Sequence, residues 1–203
     1  MPEVSLQIAP DGEILMRGQG LMSGYYRRPE ATAEVIDREG GGWFHTGDVG
    51  ELSSDGYLKI TDRKKDLIVL TNGKKVAPQP IEARLKQSLY IGEAVLLGDQ
   101  QSIVMALIVP EFGRLLEWAK EKGLTHDVAA LLETPDVQKL IKTEIDRNTT
   151  DLADFEKIKR FRILGRPFSI ENGELTPTLK VKRKFVAEKY ASVIATMQRQ
   201  DNG

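Results

Sequence analysis

Sixteen residues, Thr61 to Val76 (TDRKKDLIVLTNGKKV), separate two segments of unlike hydrophobic rhythm. The stretch opens on a charged knot, Asp62-Arg63-Lys64-Lys65-Asp66, and runs straight into Leu67-Ile68-Val69-Leu70-Thr71, which is apolar or β-branched throughout. Asn72-Gly73 follows. That pair accepts the positive φ values of a two-residue type I′ turn, so the spacing predicts a tight hairpin with a charged lead-in.

Before this stretch the pattern is that of strands. Val4, Leu6 and Ile8 alternate with polar residues, Asp11-Gly12 supplies a turn, and Glu13-Ile14-Leu15-Met16 returns. Pro29 suits the first turn of a short helix with Glu30 beside it, and Ala33, Val35 and Ile36 give that helix an apolar side. Asp55-Gly56 joins Glu51-Leu52 to Tyr57-Leu58-Lys59-Ile60 as a further hairpin. Residues 1–61 thus read as a small, glycine-punctuated, strand-rich unit, a sheet or barrel. Its first strand needs partners, which leads us to expect further sequence upstream.

After it the period changes. Pro78-Gln79-Pro80 leads into a helix with Ile81, Leu85 and Leu89 at spacing four. Residues 94–97 and 103–109 read as buried strands bent apart at Gly98-Asp99. Residues 111–123 and 126–132 read as helices, and Thr134-Pro135 as the cap and first position of a helix reaching Asn148. A strand over 160–164 and a single closing helix over 181–198, with Val186, Tyr190, Val193 and Met197 on one stripe, complete the pattern. The fold class expected is α+β: a small strand-rich unit over 1–61, then an α+β domain over 62–203.

Composition narrows the function classes. No apolar run approaches the ~20 residues that span a bilayer, and no secretory signal pattern opens the chain, so a cytoplasmic protein is expected. The absence of cysteine excludes disulfides and thiolate chemistry, and with His45 and His126 as the only imidazoles a His-rich metal site is excluded. The net charge of −1 conceals an asymmetry: residues 1–110 carry −3, residues 111–156 carry −5 and residues 157–203 carry +7. Such a basic segment is either a solvated surface or a contact for an anionic partner such as a phosphate-rich ligand, a nucleic acid or a membrane surface. Aromatic residues are too sparse there for a single-strand stacking platform, so phosphates are expected rather than nucleic acid, with peripheral membrane contact left open.

Three places carry candidate chemistry. In Gly42-Trp43-Phe44-His45-Thr46-Gly47-Asp48-Val49-Gly50, a carboxylate held between glycines on a loop can accept two hydrogen bonds from a vicinal diol such as that of a ribose. The alternative is an Asx-turn in which Asp48 bonds its own backbone, and His45 reads as a structural hydrogen-bonding residue. In the charged knot, Arg63 is a forked donor for a phosphate or ribose oxygen, or a member of a surface salt-bridge cluster with Asp62, Lys65 and Asp66. In Asn172-Gly173-Glu174-Leu175-Thr176-Pro177-Thr178-Leu179-Lys180-Val181-Lys182-Arg183, a proline-containing loop delivers Lys180 just before a helix, either to solvent or to an anion.

These same strings resemble core motifs of the acyl-adenylate-forming enzymes, the acyl-CoA synthetases and their relatives. GWFHTGDVG is similar to the motif whose Asp binds the ribose hydroxyls, which implies nucleotide binding by Asp48. DRKKDLIVLTNGKKVAPQPIE resembles the junction between a large N-terminal domain and a small mobile lid. That likeness implies nucleotide contact by Arg63, a pivot of domain rotation at Asp62 or Lys65, and a CoA-lining hairpin that includes Gly73 and Lys74. LTPTLKVKR resembles the motif whose lysine bridges the acyl carboxylate and the α-phosphate, which implies a catalytic role for Lys180. The commoner version has Gly before that lysine where this chain has Leu179. That departure, like NGKKVAPQPIE, matches the long-chain fatty acyl branch.

The resemblance implies ATP (or AMP) and CoA as substrates, a fatty acid as acyl source, and Mg2+ with the ATP, its ligands lying outside this chain. A glycine-rich Ser/Thr phosphate loop, a Tyr-Gly-x-Thr-Glu adenine motif and an acyl pocket are not found in the sequence. The expectation is therefore the C-terminal part of a long-chain fatty acid–CoA ligase, inactive alone, with residues 1–61 ending the large AMP-binding domain and 62–203 forming the lid. The alternatives are an adenylation domain that loads an acyl carrier protein and a non-catalytic binding module.

Overall fold

A computed structural model describes residues 4–199 and divides into two compact units, 1–67 and 68–203 by range. Each unit is treated by itself.

The first unit is an antiparallel sheet of β1 (Val4–Ile8), β2 (Glu13–Gly18), β3 (Ile36–Asp37), β4 (Trp43–Leu52) and β5 (Leu58–Arg63), with helix α1 (Pro29–Val35) between β2 and β3. The long β4 organises it, pairing with β2 along one edge and with β3 and then β5 along the other. A single 3₁₀ turn, Lys64–Asp66, closes the unit. Asp62 and Arg63 thus complete a strand of this unit, and the division falls after Leu67. Apolar burial is thin. Among the described residues only Ile14 and Leu15 are buried apolar side chains here, while Val4, Tyr57 and Ile60 are exposed.

The second unit begins with the hairpin β6 (Ile68–Val69) and β7 (Lys75–Val76), followed by α2 (Pro78–Leu85), β8 (Ile91–Leu97), β9 (Val104–Pro110), α3 (Phe112–Glu121), α4 (Val128–Leu132), α5 (Pro135–Asn148), β10 (Ile158–Ile163), α6 (Arg183–Lys189) and α7 (Ala191–Arg199). β9 is central, antiparallel to β8 and parallel to β10, and every one of its residues is buried. Successive side chains of a strand point to opposite faces. Val104, Ala106 and Ile108 accordingly join a core with α2, α3, α4 and α5, through residues such as Leu85, Leu115, Leu131 and Ile141. Met105, Leu107 and Val109 join a second core with Leu164, Phe168, Val186 and Met197. A strand buried on both faces reads as the unbroken apolar run that the sequence contains. The α+β class holds.

Three expectations need correction. Asn72-Gly73 does not form a two-residue turn. Leu70 N donates to Lys74 O (2.9 Å) and Gly73 N to Leu70 O (2.8 Å), and of this pair only Gly73 takes a positive φ, +79°. The loop is therefore three residues long, a type I turn closed by a left-handed glycine. Helix α2 ends at Leu85, and Leu89, 67% exposed, does not extend its stripe, because the chain turns at Ser88, whose Oγ accepts from Tyr90 N (3.1 Å). The closing helix is two helices, broken at Tyr190, although Val186, Tyr190, Val193 and Met197 still pack on one core.

Truncation distinguishes the two ends of the α2 stripe. Leu85→Ala should cost ~2–5 kcal/mol in urea unfolding of the chain, as expected for a fully buried leucine. Leu89→Ala should stay within ~0.5 kcal/mol of the parent, as for an exposed site. Comparable losses would mean that α2 continues past Leu85.

Candidate functional site

The β2–β4 pairing is interrupted where the sequence reads Thr46-Gly47-Asp48. Glu13 lies opposite Val49 and Leu15 opposite His45, so three residues of β4 face the single residue Ile14. This wide bulge is built from both sides. Thr46 Oγ1 donates to Ile14 O (2.8 Å) and accepts from Asp48 N (3.1 Å), and Gly47, at φ +72°, donates its N–H to Glu13 Oε1 (3.0 Å). Bulges bend a strand and re-aim its side chains. Here Asp48 comes opposite Arg63 on β5, and Arg63 Nε lies 2.7 Å from Asp48 Oδ1.

Asp48 therefore stands on a strand and not on a loop, and the self-bonded Asx-turn does not form. Its carboxylate is held by Arg63, while Oδ2 accepts from no described residue. Asp48 is about a quarter exposed and Arg63 about half, so a charged acceptor and a forked donor are presented side by side. The surface cluster of Arg63 with its chain neighbours gives way to this cross-strand pair. Asp62 is buried at 3% exposure and its Oδ1 accepts from Arg63 N (2.7 Å), whereas Lys65 is exposed on the 3₁₀ turn.

Beneath the bulge lies a group the sequence reading did not single out. Glu13, 3% exposed, meets His45 Nδ1 at 3.0 Å, Lys64 Nζ at 2.8 Å and Gly47 N at 3.0 Å. Burial opposes its ionisation, but the bonds from His45, Lys64 and Gly47 outweigh it and hold its carboxyl below the usual range. Bonds to Asp11 and Glu13 raise Lys64 above the ordinary lysine range. His45 thus has the structural hydrogen-bonding part expected of it.

In the second unit, the Gly73 hairpin is bolted to the turn between β8 and β9. Thr71 N donates to Gln101 O (2.9 Å), Gln100 N to Val69 O (2.8 Å) and Val69 N to Asp99 Oδ1 (3.0 Å). A Cβ at Gly73 would meet nothing within 4 Å, so it is the positive φ and not close approach that calls for glycine. The Lys74 ammonium lies over the Phe155 ring, 4.4 Å from its centroid.

Lys180 sits on a loop of the same design. Thr176 N donates to Lys180 O (2.8 Å), Leu179 N to Thr176 O (2.9 Å) and Lys180 N to Thr176 Oγ1 (3.0 Å), below a bridge between Leu175 and Val181. Pro177 and Thr178 fill the turn and Leu179 takes the left-handed position at φ +60°. A β-carbon there costs roughly 1–2 kcal/mol, which explains why glycine is the easier residue before the lysine. Lys180 is exposed, and its ammonium has no partner among the described residues.

Both feet of this loop are tied. On one side Arg183 Nη1 and Nη2 grip Glu82 (2.5 and 2.8 Å), and Nη1 also donates to Leu96 O (2.8 Å). On the other, Glu174 is wholly buried. It accepts two bonds from Arg166 (2.7 and 3.0 Å) and one each from Ser169 N (3.1 Å) and Tyr190 Oη (3.0 Å), with Lys189 Nζ at 3.2 Å. Burial pushes its pKa up, but the bonds from Arg166, Ser169, Tyr190 and Lys189 prevail and hold it at about 2. Glu174 could have been found as one of the few acids in the most basic segment of the chain.

The site residues fall into two groups: Asp48 with Arg63 in the first unit, and the Gly73–Lys74 hairpin and the Lys180 loop in the second. No hydrogen bond or ion pair among the described residues joins that hairpin's Gly73 and Lys74 to Lys180. Among the described residues no group of three or more His, Asp or Glu side chains could hold a metal ion, and no helix is long and apolar enough to cross a membrane.

The second unit thus carries an exposed lysine on a tied hairpin, and the sheet of the first presents an Asp–Arg pair. Residues 65–202 match the AMP-binding enzyme C-terminal domain family, and the chain belongs to it. It is 40% identical to the long-chain-fatty-acid–CoA ligase FadD15 of Mycobacterium tuberculosis over 99% of this chain and 33% of that protein. It is 35% identical to human long-chain-fatty-acid–CoA ligase 1 over 91% of this chain and 26% of that protein. The chain thus spans about a third of the length of the first of these relatives. Among solved structures, the A domain of a carboxylic acid reductase from Segniliparus rugosus, in complex with AMP and a carboxylic acid, superposes with a TM-score of 0.75. That match has 26% identity and covers 98% of this chain and 31% of the other.

The Glu174 ion cluster yields a pH prediction. Its folded pKa, about 2, lies below the ordinary value of 4.5, so its contribution is complete above pH 4.5 and is lost as pH falls toward 2. Urea unfolding of the second unit, followed by Trp118 fluorescence in a Trp43→Phe background, should lose up to ~3 kcal/mol across that window. Glu174→Gln should flatten the slope; an unchanged slope would mean that Glu174 is not the group titrating.

Proposed function

We propose that this chain is the C-terminal portion of an ATP-dependent long-chain fatty acid–CoA ligase, and that its residues serve two successive steps. In the first, a fatty carboxylate oxygen attacks the α-phosphorus of ATP, forming acyl-AMP and releasing pyrophosphate. In the second, the CoA thiolate attacks the acyl carbon, forming the thioester and releasing AMP. The observation that carries the reading is the bulge at Thr46–Asp48, which sets a carboxylate with an open oxygen beside an arginine in a segment similar to fatty acid–CoA ligases. Asp48 would accept from the ribose hydroxyls, and Arg63 would hold Asp48 and reach the nucleotide.

Lys180 would approach the α-phosphoryl group in the first step. Negative charge gathers there as the bond to pyrophosphate breaks, and a preorganised ammonium stabilises that charge more than it stabilises the ground state. Its exposure and lack of a partner leave it available for this. Mg2+ would accompany ATP, with its ligands outside the described residues. The hairpin carrying Gly73 and Lys74 would line the pantetheine path in the second step, its open tip leaving room for a thin ligand.

The lid rotation that exchanges the two faces would turn at Lys65. Asp62 is buried and paired across the sheet opposite Val49, so moving it would break a strand, whereas Lys65 is exposed on a one-turn helix. An acyl-carrier-loading domain is the second reading, favoured by the similarity to a carboxylic acid reductase solved as an A-PCP didomain. The higher identity to CoA ligases over nearly the whole chain favours CoA.

The test uses the longer ligase that carries this segment. Lys180→Ala should slow pyrophosphate release by ~10²–10³-fold, the loss typical of one preorganised contact. Acyl-CoA formation from supplied acyl-AMP should be nearly unchanged. Equal losses in both steps would remove Lys180 from the role given to it.

A further inference from the structure

We infer that Glu174 is a positioning residue for Lys180, holding the lysine loop in the pose used for acyl-adenylate formation. This rests on the reading of Lys180 above. The hairpin that carries Lys180 has its foot at Glu174 and Lys182, where Lys182 N donates to Glu174 O (2.8 Å), and its tip at Pro177-Thr178-Leu179. Among the described residues the tip is held only by bonds to Thr176 within the loop. Residues 177–180 are exposed, and Leu179 keeps an unfavourable backbone conformation that only the ladder below it enforces. The foot is fixed by the Glu174 side chain, wholly buried between the Arg166–Ser169 segment and the junction of α6 and α7 at Tyr190.

The chemistry of that cluster calls for a carboxylate. Every group facing the two oxygens is a donor: the Arg166 guanidinium, the Ser169 amide, the Tyr190 hydroxyl and the Lys189 ammonium. Arg166 Nη2 also reaches Tyr190 Oη (3.2 Å), so the foot, the 166–169 segment and the helix break form one bonded set. An ionised carboxylate accepts from all of them, whereas a glutamine must turn its NH2 toward one donor pair and lose it. The break of the closing helix at Tyr190 places that hydroxyl on Glu174. Misplacement of a reacting group by about 1 Å can cost ~10²-fold in rate, so a loosened foot is felt at the lysine tip even though Glu174 touches no substrate.

Glu174→Gln tests this in the longer ligase, with Lys180→Ala assayed beside it. We expect kcat for pyrophosphate release to fall ~10–10²-fold with the KM for ATP within about twofold, because orientation and not binding is disturbed. Acyl-CoA formation from supplied acyl-AMP should keep the parent rate, which also certifies that the domain is folded. If Lys180→Ala splits the two steps and Glu174→Gln leaves both alone or lowers both equally, Glu174 is a structural residue only. The role of Lys180 then stands. If Lys180→Ala itself fails to split them, the reading of Lys180 falls and the inference with it. Should Glu174→Gln not fold, Arg166→Lys replaces it, keeping a cation on the buried carboxylate while losing the second bond. A selective loss of the first step then supports the inference, and a parallel loss or none overturns it.

Discussion

A carboxylate taken out of water must have its oxygens filled by donors, and each unit of this protein meets that constraint next to a functional candidate. Glu13 gathers His45, Lys64 and the Gly47 amide; Glu174 gathers Arg166, Ser169, Tyr190 and Lys189. Stranding such a group costs several kcal/mol, so the donors are held where the carboxylate needs them. In both cases the donors or the carboxylate itself belong to the segment that carries a functional candidate. Gly47 precedes Asp48, and Glu174 is the foot of the Lys180 hairpin. Exposed, reactive side chains are thereby displayed from backbone that is pinned below the surface.

The remaining architecture supplies the platform. β9, buried on both faces, lets one three-stranded sheet carry helices on either side. The Gly73 hairpin is pinned to the β8–β9 turn, and the Lys180 loop to α2 and β8 through Arg183. The two loops share one design, a three-residue turn ending in a left-handed residue, glycine in one and leucine in the other.

Features that depend on a residue's near neighbours were legible in the sequence. Thr134-Pro135 announces α5, and the structure has Thr134 Oγ1 accepting from Val137 N (3.4 Å). The apolar run of β9 and the turn at Asp55-Gly56 likewise stand where the pattern puts them. What failed depends on hydrogen bonds and pairings that residue type alone does not specify, most of them to partners distant in sequence. Gly47-Asp48 reads as a loop because a bulge is defined by the strand opposite, and only the β2 register reveals it. Asn72-Gly73 suits a two-residue turn, but the pairing of Leu70 with Lys74 adds a residue. The helix break at Tyr190 is not announced by the residues around it, and it sets a hydroxyl on a carboxylate 16 residues away. Asp62, inside a charged knot, looks solvated until β5 is seen to carry it beneath the sheet surface. The functional motifs were legible as resemblance; the buried glutamates that hold them were not.

On the proposed reading, the bulge presents Asp48 to a ribose. The most direct measurement is calorimetric affinity of the longer ligase for AMP and for its 2′,3′-dideoxy analogue, in the parent and in Asp48→Ala. A charged acceptor contributes ~1.5–3 kcal/mol through such hydrogen bonds, so the parent should prefer AMP by roughly 10- to 150-fold. In Asp48→Ala that preference should largely vanish, with AMP binding weakened toward the affinity of the analogue. If parent and variant favour the diol to the same degree, Asp48 is a partner for Arg63 and nothing more, and the account of the site is wrong.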